Sequence, residues 1–186
     1  MQADTAFEPL RTTRLLIRRS RPEDAATIAE YRSDPRVHRY QGWDRTDVDS
    51  IRGEIVEMAG RSPGSPGGWV QFTVVEVDGE RMVGDVGLSV ADGEPGVIKI
   101  GYTIEPTFQG RGYATEAVQA LVDYAFDALG ADVVRAYASV ENAPSIRVAE
   151  KAGLRLVERF EGTDGSRRWF GVRYELRRED RAGSGS

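Results

Sequence analysis

The segment from Gln109 to Thr115 (QGRGYAT) places two glycines around an arginine directly before a helical pattern of apolar residues. Small residues ahead of a helix let backbone N–H groups approach an anion at the positive end of the helix dipole. The segment therefore predicts a phosphate site. The chemistry depends on which phosphate compound fits it.

Two nucleotide interpretations of this segment fail on residue type. A P-loop needs a lysine directly after its last glycine, and no lysine follows Gly112. A dinucleotide fingerprint needs a third glycine after a parallel strand, but Thr115 occupies that position and the preceding pattern predicts an antiparallel meander. The phosphate compound stays open at this point, and a simple tight turn into a helix is the alternative without a ligand.

Composition excludes several other kinds of chemistry. The chain of 186 residues has 25 basic and 30 acidic residues, a net charge of −5, so we expect no nucleic-acid partner. The absence of cysteine and the single histidine, His38, argue against thiolate sites, most zinc sites and a Ser-His-Asp triad, and we expect no metal. Without an apolar run long enough for a bilayer or a signal sequence, we expect no membrane partner and a cytoplasmic location.

The hydrophobic pattern predicts a mixed α/β (α+β) fold in a single domain over residues 1–181, with 182–186 as a flexible tail. About seven strands, mostly antiparallel, are flanked by about four helices. The expected strands are 13–19, 69–77, 81–90, 97–104, 133–140, 154–161 and 168–176. The first expected helix begins near Pro22 and ends at Ser33-Asp34-Pro35. Three further helices are expected at about 46–58, 113–129 and 143–152.

Four motifs in a fixed order resemble the GNAT acetyltransferase superfamily. The segment Gln109–Ala114 fits the family's [QR]-x-x-G-x-[GA] loop, and GYTIEP at 101–106 is similar to the end of its fourth strand. The residues ENAPS at 141–145, followed by EKAGL at 150–154, resemble its N-x-x-S-x(5)-K-x-G-[FL] motif. The opening LRTTRLLIR at 10–18 resembles the ribosomal-protein N-acetyltransferase (Rim-type) branch.

The resemblance implies a splayed GNAT-like sheet and acetyl-CoA as co-substrate. The backbone N–H groups of the glycine loop would hold the diphosphate, and the end of the preceding strand would pair with the pantetheine amides. Asn142 would lie beside the pantetheine arm, although a helix N-cap is its other natural role. The implied cofactor-binding residues are Tyr102, Thr103, Ile104, Gln109, Gly110, Arg111, Gly112, Tyr113, Ala114, Thr115, Asn142 and Ser145.

The resemblance also implies catalytic roles for the backbone of Ile104 and the hydroxyl of Ser145. The N–H of Ile104 would polarise the thioester carbonyl, and Ser145 would protonate the leaving thiolate in place of the tyrosine of many relatives, where this chain has Ala149. The general base stays open, because Tyr137 and Lys99 stand where relatives carry an acid. The candidates are Asp85, Glu105, His38 and water.

The expected function is therefore acetyl transfer from acetyl-CoA to a primary amine, either a protein N-terminus or a small molecule. Aromatic side chains could line the acceptor groove: Tyr40, Trp43, Trp69 and Trp169. The alternatives are a non-catalytic module that binds or senses acyl-CoA, and an acyltransferase that uses another acyl-CoA. The sequence leaves a homodimer open.

Overall fold

The structure is a computed structural model that describes residues 1–41, 46–78, 81–164 and 167–181. Six α-helices occur in these ranges: α1 (Ala25–Arg32), α2 (Pro35–His38), α3 (Val48–Ala59), α4 (Tyr113–Asp127), α5 (Ala143–Lys151) and α6 (Arg178–Arg181). Short 3₁₀ turns precede α1 and α4. No helix within these ranges is long and apolar enough to cross a membrane.

Eight strands form a single sheet in the order β1-β2-β3-β4-β5-β6-β8-β7. Their bounds are β1 (Leu10–Arg11), β2 (Leu15–Arg19), β3 (Val70–Glu76), β4 (Met82–Val90), β5 (Val97–Ile104), β6 (Val133–Ser139), β7 (Arg155–Asp164) and β8 (Arg167–Arg177). All neighbouring strands are antiparallel except β5 and β6.

The expected mixed, mostly antiparallel fold is confirmed, and the sheet has eight strands where the sequence predicts about seven. The additional elements are short: β1 has two residues, and α2 and α6 have four each. Segments of this length show no hydrophobic period, so sequence patterns do not reveal them. The predicted turn residues 79–80 and tail 182–186 lie outside the described residues.

The two faces of the sheet differ in polarity. The apolar face packs against α4, whose buried residues Ala117, Val118 and Leu121 join the main core. The opposite face carries polar side chains on the central strands and is partly covered by α1 and α3, which share a second small core. The alternation of side chains along each strand produces this division.

The sheet splays between β5 and β6. Their parallel pairing runs from Val97 with Val133 to Ile100 with Ala136 and then ends. Beyond that point, β6 pairs only with β8, and β5 pairs only with β4. The last four residues of β5 therefore present one backbone edge to a gap, and the splayed sheet implied by the family resemblance is confirmed.

Candidate active site

The glycine loop adopts a conformation that suits an anion. Gly110 and Gly112 have φ angles of +78° and +83°, which favour glycine because a Cβ is strained there. The N–H of Glu116 is the first within α4 to bond back along the helix, to the carbonyl of Gly112 at 3.1 Å. The earlier N–H groups of the helix have no intrahelical partner, so they are available to a ligand.

The N-terminal motif braces this loop. Glu116 accepts hydrogen bonds from Thr12 Oγ1 (2.6 Å) and from Arg14 Nε (2.7 Å). Arg14 Nη1 also donates to the carbonyl of Arg111 at 2.9 Å. Glu116 lies in the first turn of α4, where a carboxylate also complements the helix dipole. The turn between β1 and β2 therefore holds the loop from one side, and the cavity described below lies on the other.

Hydrogen bonding shows which groups of β5 face the gap. The N–H of Glu105 donates to the carbonyl of Val83 at 3.0 Å, so these two residues form a hydrogen-bonded pair of β4 and β5. Such pairs alternate along an antiparallel ladder, so the backbone groups of Thr103 face β4, whereas those of Tyr102 and Ile104 face the gap. Consistently, the carbonyl of Ile104 accepts a bond from Gln109 Nε2 at 2.9 Å.

A small hydroxyl cluster closes the other side of the gap. Asn142 Oδ1 caps α5 by accepting a bond from the N–H of Ser145 at 3.2 Å. Ser145 Oγ donates to the hydroxyl of Tyr102 at 3.1 Å, and that hydroxyl donates to the carbonyl of Ser145 at 2.8 Å. Burial raises the pKa of Tyr102 to about 12, although the bond with Ser145 opposes the shift. The phenol therefore stays protonated and can donate.

These elements enclose a first cavity of about 320 Å³. It brings together every expected cofactor-binding residue except Arg111, whose guanidinium lies 5.3 Å from the ring of Phe108. The sequence motifs did not predict the phenol of Tyr102 in this cavity, since only its backbone is expected there, or the cations Arg36, Arg147 and Lys151. The i, i+4 spacing of the last two residues on α5 is the signal that could have found them.

A second cavity of about 460 Å³ lies over the polar face of the sheet. It shares Gln41, Tyr102 and Thr103 with the first cavity, so the two meet at the splay. Within the second cavity, the carboxylate of Asp85 accepts a short hydrogen bond from the hydroxyl of Tyr31. Burial raises the pKa of Asp85, and the charge of Arg32 and the bond from Tyr31 oppose that shift.

The structure separates the candidate bases and aromatic residues. Of the candidate bases, Asp85 lines the second cavity, whereas Glu105 and the exposed His38 line neither cavity. Of the aromatic residues, Tyr40 lines the first cavity, Trp69 lines the second, and Trp169 lines neither. Trp43 lies outside the described residues.

Comparison with known proteins identifies the family. Residues 14–155 match the acetyltransferase (GNAT) domain. The chain belongs to the GNAT acetyltransferase family. It is 34% identical over 143 residues to the uncharacterized N-acetyltransferase p20 of Bacillus licheniformis, covering 76% of this chain and 79% of that protein. The acetyltransferase interpretation of the sequence is confirmed, and this GNAT domain is that of an acyltransferase.

Solved structures share the same architecture. A GNAT-family acetyltransferase from Bacillus anthracis is 28% identical and superimposes with a TM-score of 0.82, covering 92% of this chain and 99% of that one. RimL, a ribosomal L7/L12 α-N-protein acetyltransferase solved with coenzyme A, is 15% identical with a TM-score of 0.80 and covers 93% and 99% of the two chains. The Rim-type resemblance is thus matched by the fold. GNAT acetyltransferases use acetyl-CoA and act on amine acceptors.

Proposed function

We propose that this protein transfers the acetyl group of acetyl-CoA directly to a primary amine. The observation that carries the proposal is the meeting of the two cavities at the splay. One cavity contains the glycine loop and the free edge of β5, and the other opens over the polar face of the sheet. Two substrates that approach from opposite faces of the sheet would bring their reacting atoms together there.

The first cavity fits coenzyme A group by group. The N–H groups of the glycine loop (109–115) bind the diphosphate, since φ angles of +78° and +83° at the glycines leave the backbone exposed. Arg147 and Lys151 line the same cavity and add positive charge. The gap-facing N–H and carbonyl groups of Tyr102 offer a strand edge to the pantetheine amides, and the N–H of Ile104 is left for the thioester carbonyl. Asn142, already capping α5, lies beside that arm.

The chemistry at the splay needs few side chains. As the amine forms its C–N bond and the C–S bond breaks, the N–H of Ile104 stabilises negative charge on the carbonyl oxygen. The thiolate takes a proton from the linked hydroxyls of Ser145 and Tyr102, and these hydroxyls regain a proton from the solvent. Holding both substrates in contact can account for about 7–11 kcal/mol of the barrier in favourable cases. Positioning is thus the main contribution of this fold.

Asp85 is assigned the role of the base. It is the carboxylate among the sequence candidates that lines the second cavity, and it lies opposite Thr103, at the end of β5 next to the splay. A carboxylate with a raised pKa is closer to the working pH, which improves its use as a base. The amine proton would reach Asp85 directly or through one water molecule.

Thiol release tests the proposal. Acetyl-CoA is incubated with the protein and a panel of primary amines and N-terminal peptides, thiol is measured with a thiol reagent, and acetylated products are identified by mass spectrometry. A reaction without acceptor measures plain hydrolysis, and succinyl-CoA in place of acetyl-CoA tests the donor. We expect acceptor-dependent release with acetyl-CoA. Tight coenzyme A binding without release on the whole panel would instead support a binding module.

A further inference from the structure

The floor of the second cavity lies on two rows of residues across the central strands, of which Gln71, Gly101, Asp85 and Thr103 line the cavity. Pairing places Gln71, Gly87 and Gly101 in one row, and Thr73, Asp85 and Thr103 in the next. The indole of Trp69 lies directly on the two glycines, because a Cβ added at Gly87 would come within 2.4 Å of its ring and one at Gly101 within 3.0 Å. The cavity therefore has an aromatic wall and a polar end at Gln71.

Gln71 is held in one orientation and has an unused donor. Its side chain is only 7% exposed, and its Oε1 accepts a hydrogen bond from Arg32 Nη2 at 3.1 Å. A guanidinium can only donate, so the oxygen must face Arg32 and the NH₂ group must point elsewhere. Within the described part of the chain, Nε2 of Gln71 has no hydrogen-bond partner. Buried donors are normally satisfied, so this one indicates a ligand atom.

The surroundings of Gln71 favour an oxygen over a second ammonium group. The Arg32 guanidinium is adjacent and buried, whereas its carboxylate partner Glu54 lies 3.4 Å away and is 44% exposed. Two more carboxylates line the cavity: Glu57 is paired with Arg61 at 2.5 Å, and Asp85, which also interacts with the charge of Arg32, lies one row further along and one strand closer to the splay, where the reacting amine is proposed to lie. An N–H donor beside a positive charge attracts a carbonyl or hydroxyl oxygen and repels a cation.

The distance to the splay defines the length of the ligand. Gln71 lies on β3, two strands away from β5. The distance across the sheet from Gln71 to the site of transfer at β5 is therefore roughly 10 Å. An extended chain of about three residues, at roughly 3.3 Å each, covers that distance. The oxygen therefore belongs to a distal part of the acceptor, several bonds from the reacting amine.

We propose that Gln71 selects acceptors that lie along Trp69 and carry a hydrogen-bond-accepting oxygen roughly 10 Å from their primary amine. This inference rests on the proposed function and specifies its acceptor. Peptide carbonyls and amino-sugar hydroxyls share the required chemistry. A linear polyamine of the same length places an ammonium group beside Arg32 instead. Gln71 is thus a specificity-determining residue for the distal part of the acceptor.

The test compares acceptors in the wild type and in a near-isosteric variant. Gln71→Glu keeps an oxygen for Arg32 and replaces the free donor with an acceptor. With trialanine amide and with an amino sugar, we expect KM to rise at least about tenfold while kcat and the Kd for coenzyme A stay unchanged. With spermidine, KM should stay the same or fall. The two oxygen-bearing acceptors distinguish a peptide source from a sugar source.

Two further variants keep the result interpretable. Gln2→Glu makes the same chemical change at an exposed position that lines neither cavity of the site, and it should leave every kinetic and binding parameter unchanged. Gln71→Met removes the amide at similar length, and it should weaken calorimetric binding of the oxygen-bearing acceptors to the coenzyme A complex. Thermal unfolding confirms that each variant folds.

The outcomes separate this inference from the proposed function. A wild type that prefers spermidine, or a Gln71→Glu variant whose KM changes equally for all acceptors, overturns the role of Gln71 and leaves acetyl transfer intact. Absence of turnover with every acceptor overturns the proposed function and the inference together. A selective rise of KM for the oxygen-bearing acceptors supports both.

Discussion

Gly110 offers the sharpest test of the phosphate loop, through the substitution Gly110→Ala. At a φ of +78° an alanine costs about 1–2 kcal/mol, because its Cβ approaches the neighbouring carbonyl oxygen. Apart from its two chain neighbours, no atom of the described residues lies within 4 Å of the added Cβ, so packing adds nothing to that cost. For a chain of this size the expected loss is roughly 2–8 °C in Tm, measured by thermal unfolding.

The same substitution should weaken coenzyme A binding for a separate reason. We expect the strained backbone to move the N–H groups of the loop away from the positions proposed to bind the diphosphate. Loss of one hydrogen bond to a charged group costs about 1.5–3 kcal/mol. The Kd for coenzyme A, measured by isothermal titration calorimetry, should therefore rise about 10- to 150-fold.

Gly93→Ala is the matched control. Gly93 has a φ of +70° and no atom within 4 Å of its added Cβ, and it lies in the turn between β4 and β5, away from both cavities. We expect the same loss of stability with an unchanged Kd. If Gly110→Ala bound coenzyme A as tightly as Gly93→Ala, the loop would not be the diphosphate site.

Two other substitutions test the site and the fold. Ser145→Ala should lower kcat about tenfold without changing the Kd for acetyl-CoA. This loss is smaller than the 10²–10⁴-fold loss typical of a full general acid, because the phenol of Tyr102 remains. An unaltered kcat in steady-state assays would exclude Ser145 from proton transfer. Burial favours protonation of Asp24, but two 2.8 Å bonds from Arg18 help to outweigh it and lower its pKa. The stability from this pair is present above the ordinary pKa of about 3.9 and is lost as pH falls through the lowered value. In urea unfolding between about pH 2 and pH 5, Asp24→Asn should flatten the dependence of the unfolding free energy on pH. The control Asp49→Asn, at an exposed carboxylate, should not. Parallel curves for both variants would contradict a stabilising role of the pair of Asp24 and Arg18.

The local sequence predicted the long elements and the cofactor side of the site. The helix from Tyr113 has a clear apolar period. Gly110 and Gly112 occupy positions with positive φ angles, which glycine adopts without strain. The same local signals placed Asn142 and Ser145 at the start of a helix. Residues close in sequence carry this information because helix and turn propensities act over a few positions.

Contacts between distant segments were beyond the reach of those signals. The brace from Arg14 to Glu116, the bond between Tyr102 and Ser145, and the shared boundary of the two cavities all join residues far apart in the chain. A sequence pattern gives the face on which a side chain lies, but the register between strands decides what it meets.

The sequence by itself thus determined the GNAT family and the mixed sheet, and it predicted the residues proposed to bind coenzyme A, because each depends on local backbone preference or on a short motif. Only the tertiary structure showed the cavity that we propose for the acceptor. The pairing of β3, β4 and β5 puts Gln71, Trp69 and Asp85 around one cavity, and the end of β5–β6 pairing opens it to the other. That arrangement follows from strand register and splay, which no local pattern encodes.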